Sequence, residues 1–128
     1  MSLKSVVEAA LQGILRKDPE PMVSMFADDG ALLMMLEPGG PRRVEGKAAI
    51  ASAMAAVGAV AEIYPVETPR LFADEAAGVA GFEVKGRLRA EPDGPLQEIT
   101  QAVFVEFRDG KAIAWRDYRS TTAIEEGR

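Results

Sequence analysis

The sequence predicts an α+β fold, in which helices come mostly first and an antiparallel sheet follows. Up to about residue 58, most segments carry apolar residues at helical spacing, whereas from about residue 61 the pattern changes to that of strands. Short turns such as "RDGK" separate the later strands and favour hairpins between neighbours. Helical segments followed by a run of strands are typical of α+β proteins.

Length and composition predict one domain, residues 1–128, with a substantial core, since 48% of the residues are hydrophobic. The chain contains neither cysteine nor histidine. This excludes thiol nucleophiles, disulfides and a histidine base, so acid–base chemistry would have to come from Asp, Glu, Lys or Tyr. We expect neither a metal nor a cofactor.

The charge balance bears on partners and location. A net charge of −5 is repelled by phosphate backbones, so we expect no nucleic-acid partner. No apolar run approaches the ~18–20 residues that span a bilayer, and the N-terminus lacks the pattern of a signal peptide. The sequence therefore predicts a cytoplasmic protein without membrane association.

The helices can be placed in order. Val7, Leu11 and Ile14 recur at helical spacing, and Asp18 before Pro19 suits the start of a second helix. The segment "ADDG" is predicted to end that helix, with Gly30 at a positive φ. A loop rich in Pro and Gly at 37–46 precedes the third helix. The predicted helices span 3–16, 19–26 and 46–58.

The strands follow from apolar runs and alternation. "ALLMML" is continuously apolar and short, which predicts a strand buried on both faces. In "VAGFEVKGRLRA", Phe82 and Val84 alternate with charged residues, which predicts an inward apolar face and a solvated charged stripe. Pro65 and Pro69 indicate an edge or a bulge. The predicted strands lie at 31–36, within 61–73, and at 79–90, 98–107 and 112–122.

Three segments carry a resemblance to a known superfamily: "MFADDGALL", "VEGKAAI" and "VFVEFRDGKAIAWRDY". In their order and spacing they resemble the nuclear transport factor 2-like superfamily, in particular its SnoaL-like branch of polyketide cyclases, ketosteroid isomerases and limonene epoxide hydrolases. The resemblance implies a cone-shaped, curved, mainly antiparallel sheet that packs against three N-terminal helices and encloses an apolar pocket. It also implies a small hydrophobic ligand and a homodimer.

The last strand supplies the first candidate site residue. The aspartate of "WRDY" resembles the hydrolase aspartate, which makes Asp117 a candidate catalytic residue. Strand alternation places Trp115, Asp117 and Arg119 on one face. Trp115 is a candidate wall for ligand stacking, and Tyr118 or Arg119 is expected near the rim. The alternatives are a core tryptophan and an aspartate that serves only as an ion-pair partner of Arg119.

Glu37 is the second candidate catalytic residue. Glu37-Pro38 lies nine residues ahead of Gly46, the spacing of the ketosteroid isomerase base. Met35 shares its strand face and is a candidate ligand contact. The alternative is an ordinary loop acid before a proline.

In the hydrolases and the isomerases, other side chains act together with the catalytic carboxylate, and this sequence has different residues at those positions. Depending on register, the hydrolase Arg-x-Asp pair falls at Glu83 and Lys85 or at Phe82 and Val84. Apolar alternation favours the second register, so Phe82 and Val84 are candidate ligand contacts.

The remaining partner positions are apolar. The hydrolase residues that position water fall near Leu32 and Met34, and the isomerase oxyanion donors fall near Ala10 and Ala102. Leucine and alanine side chains form no hydrogen bonds and the methionine thioether is only a weak acceptor, so none of them can position water or stabilise an oxyanion.

The sequence thus predicts a SnoaL-like enzyme that transfers protons on a small apolar molecule through carboxylates, as an isomerase, cyclase or lyase would. The alternative is a non-catalytic small-molecule-binding or accessory dimerisation domain on the same fold.

Overall fold

The computed structural model describes residues 2–58 and 61–124, which form three helices. Ser2 caps the first helix, since its Oγ accepts a hydrogen bond from the backbone N–H of Ser5 at 3.1 Å. Before the second helix, Asp18 Oδ1 accepts from the backbone N–H of Glu20 at 3.2 Å. The helices match the predicted ones to within about two residues at each end. They are α1 (Leu3–Leu15), α2 (Glu20–Ser24) and α3 (Lys47–Gly58).

The described strands form one curved seven-stranded sheet in the order β2-β1-β7-β6-β5-β3, with β4 also paired to β5. Every strand pair is antiparallel except β1 with β7. The predicted α+β fold with a mainly antiparallel sheet is confirmed. The strands are β1 (Phe26–Met34), β2 (Arg42–Glu45), β3 (Glu62–Pro65), β4 (Arg70–Asp74), β5 (Val79–Arg89), β6 (Leu96–Arg108) and β7 (Lys111–Ala123).

The predicted turn at 27–30 is wrong, because these residues belong to β1. The pairing of β1 with β7 shifts register between Phe26 and Ala31, so the exposed Asp28 and Asp29 occupy a bulge. A glycine is needed at position 30 because neighbouring atoms lie too close for a side chain, not because its φ is positive. A Cβ at Gly30 would lie 2.8 Å from the carbonyl oxygen of Ala112.

Two further segments differ from prediction. The predicted loop at 37–46 contains β2, whose residues gain strand structure by pairing with the end of β1. The single strand predicted within 61–73 is two strands, because the chain leaves the sheet between Pro65 and Pro69. Both halves pair with β5, β3 beside its last residues and β4 beside its first.

The inner face of the sheet forms the core with the helices: α1 packs on β5, and α3 packs on β1. On β5, Phe82, Val84 and Leu88 are buried while Lys85 and Arg87 are exposed, so the predicted inward face and solvated stripe are both observed.

A bulge alters the predicted alternation at the start of β7. The register with β6 shifts between Glu106 and Phe107, opposite Ile113. As a result the buried residue is Ala112 rather than Ile113, while Trp115 and Asp117 keep the inner face.

Candidate functional site

A cavity of about 280 Å³ lies between the helices and the inner face of the sheet. Its volume is near the lower end of the ~300–1,000 Å³ usual for small-molecule sites. The walls are mostly apolar, because the strand residues that alternate inward meet the apolar sides of α1, α2 and α3. Lining residues include Met22, Leu32, Met34, Met54, Leu88 and Trp115.

One part of the wall is polar, and β6 and β7 supply it. Asp117 is 4% exposed, and its Oδ2 accepts hydrogen bonds from Gln101 Nε2 at 2.9 Å and Arg119 Nη2 at 3.3 Å. Gln101 and Arg119 are direct cross-strand partners, so the antiparallel register brings both donors to the same carboxylate oxygen. The carboxylate is therefore held in one orientation by a neutral donor and a cationic donor.

Three buried polar atoms of this wall have no hydrogen-bond partner among the described residues: Trp115 Nε1, Asp117 Oδ1 and Arg119 Nε. All three side chains line the cavity from the inner face of β7. A buried polar group without a partner costs about 1–3 kcal/mol, and native proteins rarely contain several together. This concentration of unpaired donors and acceptors makes the wall the candidate site for binding a polar group.

Glu37 lies at the mouth of the cavity and is exposed. Met35 is close to it but lines a smaller hollow of about 180 Å³ rather than the cavity. Asp117, Arg119 and Glu37 line both spaces, so they stand between the cavity and the hollow. The structure thus places Asp117 deep and Glu37 shallow on the same side of the site.

Trp115 packs as a core residue as well as lining the cavity. Its ring lies 5.7 Å from that of Phe82 at an interplanar angle of 68°, and 6.5 Å from that of Phe26. Phe82 and Val84 point inward as predicted but are each 1% exposed and do not line the cavity. They fill the core behind the wall, so the structure places them away from the cavity.

Tyr118, one of the two residues expected near the rim, does not border the cavity. As the neighbour of Asp117 along β7 it points to the outer face, where its ring meets that of Phe104 edge-on at 5.9 Å. Arg119, the other rim candidate, lines the cavity.

An ion pair ties the connection between α1 and α2 to β3 at the mouth. Lys17 Nζ lies 3.2 Å from Glu62 Oε1, and the Tyr64 hydroxyl donates to Glu62. The hydrogen bond from Tyr64 and then the bond from Lys17 lower the pKa of Glu62, and the same Tyr64–Glu62 bond raises the pKa of Tyr64. Because the pKa of Glu62 is lowered, the ion pair is fully formed at any pH above the ordinary pKa of a glutamate. It is lost only as the pH falls through the lowered pKa.

Gln101 is the residue of the candidate site that sequence reasoning missed. The isomerase comparison pointed to Ala102, which faces outward, opposite Tyr118. The available signal was alternation: Gln101 is the polar member of a face otherwise made of Ile99, Val103 and Val105. A polar residue at such a position needs a partner, and the structure provides Asp117.

Gln101→Leu is expected to lower the free energy of unfolding by about 1–3 kcal/mol, because it removes one of the two donors to a buried carboxylate. Chemical denaturation measures the change. Gln97→Leu on the same strand, where the side chain is half-buried, is the matched control and should cost about 0.5 kcal/mol or less. Equal losses in the two variants would show that Gln101 does not support Asp117.

Residues 2–58 and 61–124 contain no group of three or more His, Cys, Asp or Glu side chains that could hold a metal ion. None of the helices in these ranges is both long and apolar enough to cross a membrane.

Comparison with known proteins gives one family and many similar folds. The sequence model of the SnoaL-like domain matches residues 7–115, and no curated protein matches the chain. A candidate polyketide cyclase of Pseudomonas putida KT2440 is 14% identical, with coverage of 92% of this chain and 91% of that chain and a TM-score of 0.77. A candidate isomerase of Bacillus subtilis is 21% identical, with coverage of 94% of this chain and 90% of that chain and a TM-score of 0.69. An LEH-like epoxide hydrolase of M. tuberculosis is 21% identical, with coverage of 91% of this chain and 80% of that chain and a TM-score of 0.66.

Proposed function

The chain belongs to the SnoaL-like domain family, and from that premise we propose that it binds a small apolar molecule in the cavity and moves a proton on it through Asp117. The reaction class is an isomerisation, cyclisation or elimination that begins when a base removes a proton from carbon. The catalytic groups proposed are Asp117 as the base and Glu37 as a second carboxylate at the mouth.

The observation that carries this proposal is the asymmetry of the Asp117 carboxylate. Oδ2 receives both hydrogen bonds, from Gln101 and Arg119, while Oδ1 is buried without a partner among the described residues. A base that is fixed through one oxygen and free at the other is positioned to accept a proton at the free oxygen. The apolar walls exclude water from that encounter, which strengthens its electrostatics.

Glu37 suits a different task from Asp117. Because it is exposed at the mouth, it exchanges protons with bulk water without a desolvation cost. We assign it to the return of protons between the site and solvent rather than to the first abstraction.

The test uses 2-tetralone, a compact bicyclic ketone with acidic hydrogens next to its carbonyl group. Deuterium incorporation at these carbons in D₂O, followed by proton NMR, measures proton abstraction without knowledge of the natural substrate. Exchange that saturates with ketone concentration and exceeds the buffer rate would support the proposal. Exchange at the buffer rate, with the ketone bound in the cavity, would contradict it.

One observation favours a non-catalytic binding domain as the second candidate. Within residues 2–58 and 61–124, the buried polar side chains are only Gln101 and Asp117, so no second buried carboxylate accompanies the proposed base. A binding domain would show saturable uptake of tetralin or 2-tetralone with exchange no faster than in buffer.

We propose that nucleic acid is not a partner, because a protein with a net charge of −5 is repelled by phosphate backbones.

We also propose that two copies of this chain associate through the outer face of the sheet. The outer aromatic cluster consists of Phe72, Phe104 and Tyr118. The Phe72 and Phe104 rings lie 5.3 Å apart, and these residues are 37% and 40% exposed. Exposed aromatic side chains grouped on one face are enriched at interfaces between proteins.

Phe104→Glu is therefore expected to convert a dimer into a monomer of 13.7 kDa, because it places a charge in the centre of the outer aromatic cluster. Sedimentation at micromolar concentration measures the mass. Val66→Glu changes an exposed valine between β3 and β4 and should leave the mass unchanged. A wild-type protein that is already monomeric would refute the assembly.

A further inference from the structure

The hollow beside the cavity exists because β1 ends before β7 does. The backbone N–H of Met35 donates to the carbonyl oxygen of Asp117 at 2.9 Å and joins the end of β1 to β7. The chain then turns away at Leu36, whereas β7 continues. The side chains that β7 carries beyond this point, Arg119 and Thr121, therefore border a space of about 180 Å³ instead of the side chains of a neighbouring strand.

Arg119 has an unused hydrogen-bond donor at this space. Its Nη2 donates to Asp117 Oδ2 at 3.3 Å, but its Nε is buried and has no partner among the described residues. A buried donor without an acceptor costs about 1–3 kcal/mol. Because Arg119 lines both the hollow and the cavity, a ligand that occupies them can bring the missing acceptor.

We propose that the hollow binds a hydroxyl group at the end of a short chain of the ligand, so that the ligand is an apolar ring with a hydroxyalkyl substituent. The hydroxyl oxygen accepts a hydrogen bond from Arg119 Nε, and the hydroxyl hydrogen is donated to the carboxylate of Glu37. This inference rests on the proposed binding of a small apolar molecule in the cavity, and it is independent of the proposed proton transfer.

The charges around the hollow favour a hydroxyl group over an ion. Two carboxylates, those of Glu37 and Asp117, and one guanidinium, that of Arg119, line it. A carboxylate on the ligand would accept from Arg119 Nε but would be repelled by both acidic side chains. An ammonium group cannot accept from Nε and would be repelled by the guanidinium. A hydroxyl group both accepts and donates, so it satisfies Nε and Glu37 without a charge.

A short chain can pass from the cavity to the hollow beside Met34 and Glu37. Both residues border the two spaces, Met34 half-buried and Glu37 exposed. Their unbranched side chains have several rotamers, so they can make room for the chain. The hydroxyl group does not use Asp117 Oδ1, which stays available for the proposed proton transfer.

The experiment uses the methionine methyl signals in the NMR spectrum of ¹³C-methyl-labelled protein. Met22 and Met54 line the cavity and not the hollow, whereas Met35 lines the hollow and not the cavity. The protein is titrated with tetralin and with 6-(2-hydroxyethyl)tetralin, the alcohol probe. Both compounds should move the signals of Met22 and Met54, but only the alcohol probe should also move the signal of Met35.

Two further probes match the alcohol in length: 6-propyltetralin and 6-(2-aminoethyl)tetralin, which is protonated at neutral pH. The ratio of the affinities for the alcohol and the propyl probe isolates the contacts of the hydroxyl group. Arg119→Lys keeps a cation beside Asp117 but removes Nε, so this ratio should fall about five- to tenfold, as for one net hydrogen bond. The amine should bind the wild-type protein more weakly than the alcohol does.

Met35→Trp fills the hollow and is expected to weaken binding of the alcohol about tenfold, equivalent to ~1.4 kcal/mol, while tetralin binds as it does to the wild-type protein. Val66→Trp, which enlarges an exposed side chain outside both spaces, is the matched control and should change neither affinity. If Met35→Trp does not fold, the methionine signals of the wild-type protein still decide.

The outcomes separate the two proposals. A Met35 signal that stays in place while saturating alcohol moves the signals of Met22 and Met54 overturns the role of the hollow and leaves the apolar site intact. An unchanged affinity ratio in Arg119→Lys overturns the contact with Nε, and an amine that binds as tightly as the alcohol overturns the hydroxyl class. If no probe moves the signals of Met22 and Met54, the proposed binding of small apolar molecules fails, and the inference fails with it.

Discussion

Replacing Asp117 with asparagine is expected to slow the deuterium exchange of bound 2-tetralone by about 10²- to 10⁴-fold, the usual contribution of a positioned general base. Asparagine has nearly the same shape and keeps an oxygen that can accept from Gln101 and Arg119, but it cannot accept a proton under these conditions. The fold should therefore persist while the chemistry is lost. Exchange rates at saturating ketone, together with circular dichroism and the melting temperature, measure the two effects separately.

Two controls accompany this variant. Asp109→Asn changes an exposed aspartate in the turn between β6 and β7 and should leave exchange unchanged. Glu37→Gln should lower the rate only a few-fold, because solvent can replace an exposed carboxylate in returning protons. If Asp117→Asn retained the full rate, Asp117 would be a structural partner of Arg119, and the binding-domain alternative would gain.

Phe82→Ala is expected to lower the free energy of unfolding by about 3–5 kcal/mol, the usual cost of truncating a fully buried aromatic side chain. Phe82 is 1% exposed, and its ring packs against Trp115. This loss is a large part of the ~5–15 kcal/mol that keeps a domain folded. Urea denaturation measures it, and the variant should also loosen the Trp115 wall, visible in the fluorescence of the single tryptophan.

Leu36→Ala provides the comparison, since Leu36 is apolar but 62% exposed and should contribute about 0.5 kcal/mol or less. Similar losses at the two positions would mean that Phe82 does not support the core as its burial indicates.

Local pattern determined much of this fold. Helical spacing placed α1 and α3, Asp18 before Pro19 marked the start of α2, and the alternation of Phe82, Val84 and Leu88 identified the inner face of β5. The same alternation put Trp115 and Asp117 on one face of the last strand. These features are readable because each depends on residues a few positions apart, whose side-chain directions follow from the backbone period alone.

Tertiary structure decided the rest, because pairing between distant strands has no local signature. The bulges at 27–30 and at Ile113 arise from registers between separate strands, and β2 exists only because β1 lies beside it. The candidate site follows the same rule. Asp117 was visible in the sequence, but its donor Gln101 lies sixteen residues away, and only the antiparallel register of β6 and β7 brings it to the carboxylate. A residue type can mark a candidate base, whereas the atoms that hold it and leave one oxygen free are set by cross-strand contacts.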